Sequence, residues 1–269
     1  FDAAIESYKQ ALRIKPDYAE VHNNMGNALS IKGDLAEAIE SYKQAIRIKP
    51  DFAGAYNNMA NAMKNKGDLV EAIESCKQAL KIKPDYADAY YNMANAMKDK
   101  GDLAEAIDSY KQALKIKPNY ASAYYNMGNA LNEKGSPEAA IDSYKQAIKI
   151  KPKYAVAYNN MGNALSSKGD LEGAIECYNQ AIRIKPNYAE GHCNLGAVLQ
   201  LLNHSEPALA SYEKAISLNK DFNEAISGFG LLLLKKGKHS EGLDKLIQGE
   251  GSILFSVKRG FSVKSGGKE

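Results

Sequence analysis

The chain has 269 residues, of which 45% are hydrophobic and 25% charged, and its formal net charge is only +3. This balance implies neither the basic surface typical of a nucleic-acid-binding protein nor an acidic tail, so we expect no nucleic-acid partner. The longest clear apolar run, Leu231 to Leu234, is far shorter than the roughly 20 residues that span a membrane.

Three cysteines are present without a Cys-x-x-Cys or Cys-x-x-His spacing, at Cys76, Cys177 and Cys193. An odd number of cysteines without such a spacing favours free thiols over a disulfide framework or a zinc site. We therefore expect a cytoplasmic, reducing environment.

Proline recurs every 34 residues, and the sequence between the prolines recurs with it. The six prolines are Pro16, Pro50, Pro84, Pro118, Pro152 and Pro186. A period of this length is typical of a stacked array of small structural units, not of a globular domain with one central site.

The 34-residue period divides the chain into a partial repeat, six full repeats and a degenerate repeat. Residues 1–18 match only the second half of a repeat, so we expect that the native N-terminus is missing. Six full repeats follow, and residues 223–248 keep the pattern in a degenerate form. The full repeats are 19–52, 53–86, 87–120, 121–154, 155–188 and 189–222.

Each repeat contains two stretches with apolar residues at helical spacing, separated by a Lys-Gly-Asp turn such as Lys32 to Asp34. The pattern predicts helix, turn, helix. Asp34, Asp68 and Asp102 stand at the start of the second helix, where we expect their carboxylates to cap free backbone amides. Small residues at fixed positions allow close helix packing, and a single pair would leave half of its apolar surface uncovered.

The pattern of small and large residues resembles the tetratricopeptide repeat over residues 1 to about 248. One repeat shows the signature at Tyr56, Met59, Ala60, Met63, Ala72, Cys76, Ala79 and Pro84. The resemblance implies an all-α fold, a right-handed superhelical solenoid. It also implies that first helices line a concave surface and second helices a convex one.

Asparagine recurs along the first helices in two rows. The first row is Asn24, Asn58, Asn92, Asn126, Asn160 and Asn194. The second row is Asn27, Asn61, Asn95, Asn129 and Asn163. A third position holds Asn23, Asn57 and Asn159, and carries Tyr91 and Tyr125 in two other repeats.

Helix propensity does not explain these rows, because asparagine is a mediocre helix former. A carboxamide donates and accepts hydrogen bonds, which matches an extended peptide backbone whatever its side chains. The first row is similar to the asparagine ladder of the superhelical repeat domain in O-linked N-acetylglucosamine transferases, where such amides hold substrate peptides. Two alternatives stay open: the rows are copied by repeat duplication, or the second row bonds neighbouring helices.

The family also includes proteins that grip the acidic C-termini of heat-shock chaperones with basic residues, a mode called the carboxylate clamp. The corresponding inward positions here hold asparagine, tyrosine and Cys193, none of them cationic. That clamp is therefore not expected. Lys64 and Lys98, near the ends of two first helices, favour an acidic side chain at the edge of the groove.

Catalytic constellations are not recognisable in the sequence. His22, His192, His204 and His239 lack the spacing of metal ligands, and no base stands near Cys76 or Cys177. Glycines occur singly and not as a phosphate-binding loop. We predict that the chain is not an enzyme and needs no metal or cofactor.

The C-terminal end differs from the repeats. Leucines replace polar inward residues at 231–234, and Gly242 and Gly249 replace alanines. Residues 252–264 alternate at period two around a glycine, which predicts a strand or hairpin within the segment 249–269. This segment begins a further domain, covers the leucines, or is a disordered tail.

Three functions are consistent with these observations. The first is a non-catalytic scaffold that binds extended peptides or protein partners in its asparagine-lined groove. The second is the substrate-recruiting arm of a larger enzyme, such as a glycosyltransferase. The third is self-association through the ends of the array.

Overall fold

The computed structural model describes residues 1–250 and the two strands at 253–256 and 260–263. The described part contains fifteen α-helices and one pair of strands. The helices are α1 Asp2–Ile14, α2 Ala19–Lys32, α3 Leu35–Ile48, α4 Ala53–Lys66, α5 Leu69–Ile82, α6 Ala87–Lys100, α7 Leu103–Ile116, α8 Ala121–Glu133, α9 Pro137–Ile150, α10 Ala155–Ser167, α11 Leu171–Ile184, α12 Ala189–Leu201, α13 Ser205–Leu218, α14 Asn223–Lys235 and α15 His239–Glu250. The strands are β1 Ile253–Ser256 and β2 Gly260–Val263.

The turn inside each repeat depends on a residue in the left-handed conformation. Gly33 has a φ of 99°, and the next residue, Asp34, donates its amide to the carbonyl of Leu29 at 3.0 Å. This arrangement is the Schellman motif that ends many helices. Asn203 takes the place of glycine in one repeat and also has a positive φ, of 60°.

The expected capping by aspartate is wrong in three repeats. Asp34, Asp68 and Asp102 make no capping hydrogen bond with their side chains. Each carboxylate instead contacts the lysine two residues earlier, as in Lys66 Nζ to Asp68 at 2.7 Å. In a fourth repeat the equivalent lysine contacts Glu138, and Asp170 caps the amide of Gly173 at 3.0 Å.

The turn between successive repeats places a lysine over an aromatic ring three residues later. The distances from the lysine nitrogen to the ring centroid run from 4.2 Å to 5.1 Å. The pairs are Lys15/Tyr18, Lys49/Phe52, Lys83/Tyr86, Lys117/Tyr120, Lys151/Tyr154 and Lys185/Tyr188. Such cation–π contacts contribute about 0.5–1 kcal/mol each at exposed sites, so the turn is held by side chains as well as by proline.

The N-terminal unit, residues 1–136, is a stack of helix pairs. α2, α4 and α6 each pack against the second helix of their own repeat and against the second helix of the preceding one, and α8 packs against α7. The core between them combines small residues with buried tyrosines. A Cβ added to Gly26 would lie 2.6 Å from the ring of Tyr42, so an alanine there would force the ring to shift.

The C-terminal unit, residues 137–269, repeats this packing and ends in the close pair α14 and α15. A Cβ on Gly242 would lie 2.9 Å from the carbonyl oxygen of Gly230, and a Cβ on Gly249 would lie 2.4 Å from Ser227 Oγ. The glycines thus allow the two helices to touch. Leu232 and Leu233 are buried in this unit, whereas Leu231 is 47% exposed.

β1 and β2 pair antiparallel, with Ile253 opposite Val263 and Ser256 opposite Gly260. The expectations that this segment starts a further domain or covers the leucines concern side chains outside the described residues.

Candidate functional site

The first helices of each unit form one continuous surface, which we call the first-helix face. In the N-terminal unit α2, α4, α6 and α8 contact one another in succession, and in the C-terminal unit α10, α12 and α14 do so. Within each unit, the described second helices have no contact of similar extent with one another. Residues three, four and seven apart share one side of a helix, so Asn92, Asn95 and Asp99 lie together on this face of α6.

The first asparagine row connects neighbouring repeats. Asn58 Nδ2 donates to Asn23 Oδ1 at 3.1 Å, and Asn92 Nδ2 donates to Asn57 Oδ1 at 2.9 Å. The same contact recurs from Asn194 Nδ2 to Asn159 Oδ1 at 3.0 Å. The acceptors are buried, with exposures of 8%, 6% and 4% for Asn23, Asn57 and Asn159. The row therefore satisfies buried carbonyl oxygens, as packing requires.

This role leaves Asn58 and Asn92 with further hydrogen-bonding capacity. A carboxamide has two N–H donors and an oxygen with two lone pairs, so one donated bond uses a fraction of it. Asn24 is exposed, and Asn58 and Asn92 are half-buried on the first-helix face. Asn126 and Asn160 occupy the same position on α8 and α10.

The second row is bound within its own repeat. The hydroxyls of three buried tyrosines donate to it: Tyr42 to Asn27 at 2.8 Å, Tyr110 to Asn95 at 2.6 Å and Tyr178 to Asn163 at 2.8 Å. Burial raises the pKa of each phenol, to about 12 for Tyr42, so the hydroxyls keep their protons and donate. Asn129 lies at the equivalent position of α8.

Asn61 is the exception in the second row. The residue fifteen positions later is Cys76, which is fully buried and has no hydroxyl to donate. The side chain of Asn61 is exposed and makes no hydrogen bond to another described residue. Its amide is therefore available to a ligand.

Two tyrosines interrupt the third position. Tyr91 packs against Tyr120 with ring centroids 4.8 Å apart, and its hydroxyl oxygen accepts a hydrogen bond from Asn126 Nδ2 at 3.0 Å. Asn126 also donates to Asn95 Oδ1 at 2.9 Å. Tyr125 lies at the matching position of α8 and is half-buried.

Lys64 and Lys98 meet at one carboxylate. Lys98 Nζ lies 2.9 Å from Asp99 Oδ1, and Lys64 Nζ lies 3.7 Å from Asp99 Oδ2. The two lysines come from neighbouring first helices, α4 and α6. Asp99 was not among the residues singled out from the sequence, because only the stacked helices bring Lys64 to it.

Each unit also has a groove lined by residues of both a first and a second helix. One is lined by Met25, Ser41 and Gln44, and another by the equivalent residues Met161, Cys177 and Gln180. These grooves are a competing location for a bound partner, which an experiment must separate from the first-helix face.

The three cysteines are buried, and two of the histidines contact backbone carbonyl oxygens. Burial raises the pKa of Cys76 to about 12, and that of Cys177 and Cys193 to about 11. His22 and His192 contact the carbonyl oxygens of the prolines six residues earlier. Within the described residues, no group of three or more His, Cys, Asp or Glu side chains is placed to hold a metal ion.

None of the described helices is both long enough and apolar enough to span a membrane.

Protein-family models match repeat segments along most of the chain. The model described as TPR repeat matches six segments, at 1–30, 26–67, 64–101, 95–135, 128–169 and 162–203. The model described as tetratricopeptide repeat matches 189–222. A comparison with curated proteins gave no match.

Three solved structures illustrate the likeness. MamA is 28% identical with a TM-score of 0.56, and the match covers 60% of this chain and 95% of MamA. YrrB, described as a TPR protein with an unusual peptide-binding site, is 24% identical with a TM-score of 0.59, covering 74% and 99%. The Cut9–Hcn1 hetero-tetramer of APC/C is 16% identical with a TM-score of 0.67, covering 92% of this chain and 49% of the other.

The repeat matches cover most of the chain, and the helix pairs confirm the predicted all-α fold. The chain belongs to the tetratricopeptide-repeat family and is a repeat scaffold with a protein-interaction role.

Proposed function

We propose that the first-helix face binds extended segments of partner proteins, and that the chain acts without catalysis. The observation that carries this proposal is the first asparagine row, whose amides recur at the same repeat position along the face. Asn58 and Asn92 each donate one hydrogen bond to the preceding repeat and keep a second N–H donor and the carbonyl oxygen. An extended peptide presents backbone N–H and C=O groups along its length. A row of amides can therefore hydrogen-bond to the peptide backbone whatever the side chains are.

The second row contributes to this function mainly by holding its own repeat. Its oxygen atoms accept from tyrosine in three repeats, which leaves mainly the amide nitrogen for a ligand. Asn61 is the member whose whole amide is available.

The strength expected from the first row is modest. Each amide contact contributes about 0.5–1.5 kcal/mol net, so several in series reach several kcal/mol. Ordering a flexible peptide offsets much of this gain. We therefore expect roughly micromolar affinity with broad sequence tolerance.

The likeness to YrrB is compatible with this function. That protein is described as having an unusual peptide-binding site, and its identity to this chain is 24%, so the likeness concerns the fold.

The test compares two triple variants by fluorescence anisotropy with a set of labelled, unstructured peptides. The first, Asn58→Ala/Asn92→Ala/Asn126→Ala, removes three first-row amides in the N-terminal unit. The control, Gln44→Ala/Gln78→Ala/Gln112→Ala, removes three carboxamides at the same repeat spacing on second helices. Gln44 and Gln78 bond only Glu40 and Glu74 on their own helices, so the control changes little else.

We expect the asparagine variant to bind at least about tenfold more weakly, because it loses about 1.4 kcal/mol or more of contact energy. The glutamine variant should bind like the wild type. Circular dichroism must show that both variants keep their helices under the binding conditions. A loss of binding in the glutamine variant alone would place the partner on the second-helix side, and equal binding by both variants would refute the proposal.

A further inference from the structure

We propose that the first-helix face of the N-terminal unit carries a subsite for an acidic side chain of the bound peptide, formed by Asn61, Lys64 and Lys98. This inference deepens the proposed peptide-binding function and rests on it.

The two lysines are unusually shielded from water. Their side chains are 23% and 27% exposed for Lys64 and Lys98, whereas the other lysines with ion pairs in the described part are 34% to 63% exposed. A partly desolvated ammonium interacts more strongly with a carboxylate than an exposed one does. The pair is thus better suited to hold an anion than the lysines on the second helices.

One carboxylate serves both lysines. Asp99 contacts Lys98 with one oxygen and Lys64 with the other. Glu133 stands at the position of Asp99 in the next repeat, and it forms no ion pair with Lys98. Two ammonium groups that share one carboxylate leave donors and charge for a second one, supplied by the ligand.

Asn61 completes the subsite. It lies three residues before Lys64 on the same side of α4, and the absence of a tyrosine hydroxyl at Cys76 leaves its amide without an internal partner. Its N–H groups can therefore donate to a carboxylate held by the lysines. A buried tyrosine occupies the position of Cys76 in the five other full repeats, at Tyr42, Tyr110, Tyr144, Tyr178 and Tyr212.

The subsite is local to two repeats. The residues at the lysine position in other repeats are uncharged: Ser30, Asn132, Ser166 and Gln200. An acidic side chain should therefore matter at one place along a bound peptide and not at every repeat.

The test uses pairs of labelled, otherwise neutral peptides that carry Glu or Gln at one position, moved along the peptide in successive pairs. Binding to the full chain is measured by anisotropy at low and high salt. At one position we expect the Glu peptide to bind about tenfold more tightly at low salt, and this advantage should shrink at high salt because ions screen the charges.

Four variants locate the effect. Lys64→Met/Lys98→Met should remove the Glu advantage and leave binding of the Gln peptide unchanged. Asp99→Asn should increase the advantage, because it frees both lysines, and Asn61→Ala should reduce it about threefold. The control Lys77→Met/Lys111→Met removes the same charge from two exposed second-helix lysines and should leave the advantage intact.

The outcomes separate the two proposals. If the Gln peptides bind in a way that depends on the first row but Glu gives no advantage at any position, the acidic subsite is wrong and the peptide-binding function stands. If both lysine variants reduce the advantage equally, the effect is general charge attraction and the subsite is again wrong. If neither kind of peptide binds, both proposals fall.

Discussion

Removing a single oxygen from Tyr42 tests whether the second asparagine row stabilises the repeat. Tyr42 is 2% exposed, and its hydroxyl donates to Asn27 Oδ1 at 2.8 Å across the two helices of one repeat. Tyr42→Phe keeps the ring and its packing but deletes this bond.

The size of the effect follows from the surroundings of Asn27. Its side chain is half-buried, so water can reach the oxygen after the phenol is removed. The loss should then be the net value of one hydrogen bond, about 1 kcal/mol, and not the roughly 1–3 kcal/mol of a stranded buried acceptor. Removing the acceptor instead, by Asn27→Ala, leaves the buried hydroxyl of Tyr42 unpaired. Alanine offsets part of this cost, because its helix propensity is up to about 0.7 kcal/mol more favourable than that of asparagine.

The assay is urea unfolding followed by far-ultraviolet circular dichroism, with both single variants and the double variant. Because the two residues are in contact, the cost of the double variant should be smaller than the sum of the single costs by about 1 kcal/mol. Tyr56→Phe is the control, since the hydroxyl of Tyr56 makes no hydrogen bond to another described residue. A coupling below about 0.3 kcal/mol, or an equal loss in the control, would refute the reasoning.

Three further predictions concern stability. Asn203→Ala should be about 1 kcal/mol less stable than Asn203→Gly, because the φ of 60° is costly for alanine and both variants lose the contact with Lys235; equal urea midpoints would contradict this. Stability should fall as the pH rises from about 10 to about 12, because burial raises the pKa of Tyr42 and Tyr212 from 10.0 to about 12. In this window the phenols of the unfolded chain lose their protons before those of the folded chain, which favours unfolding. A melting temperature that stays constant from about pH 10 to about pH 12 would argue against the effect. Gly242→Ala should cost about 1–3 kcal/mol, since the added Cβ would lie 2.8 Å from the side chain of Leu234 and 2.9 Å from a backbone carbonyl oxygen; unchanged unfolding in urea would show that α14 and α15 separate easily.

The period in the sequence was enough to predict the all-α fold, because helical spacing and the recurring turn point to the same unit in every repeat. The left-handed turn at Gly33 follows from the same reasoning, since glycine adopts positive φ at little cost. The sequence did not decide how Asp34 is bound, because an aspartate at the start of a helix can accept from a free backbone amide or from a nearby lysine. The ion pair with Lys32 is the one that forms.

The contacts of the asparagine rows were harder to predict. Whether an amide faces water or a neighbouring helix depends on how closely the helices approach, and this distance is set by residues such as Gly26 beside Tyr42. One signal was present in the sequence: asparagine and tyrosine recur fifteen residues apart, and the pairing fails at Cys76. The convergence of Lys64 on Asp99 had no such signal, since the two residues are 35 positions apart and meet only through stacking.

The first-row amides reach from each repeat to the one before it, as Asn92 does to Asn57. The same side chains therefore link neighbouring repeats by hydrogen bonds and are the proposed contacts for a ligand. Where an end of the array frays, the recognition surface there is lost together with the stacking, because the buried acceptor and the donating amide move apart. A peptide that spans several repeats would then slow this fraying, and the gain in protection of backbone amides against hydrogen exchange would show how many repeats it occupies.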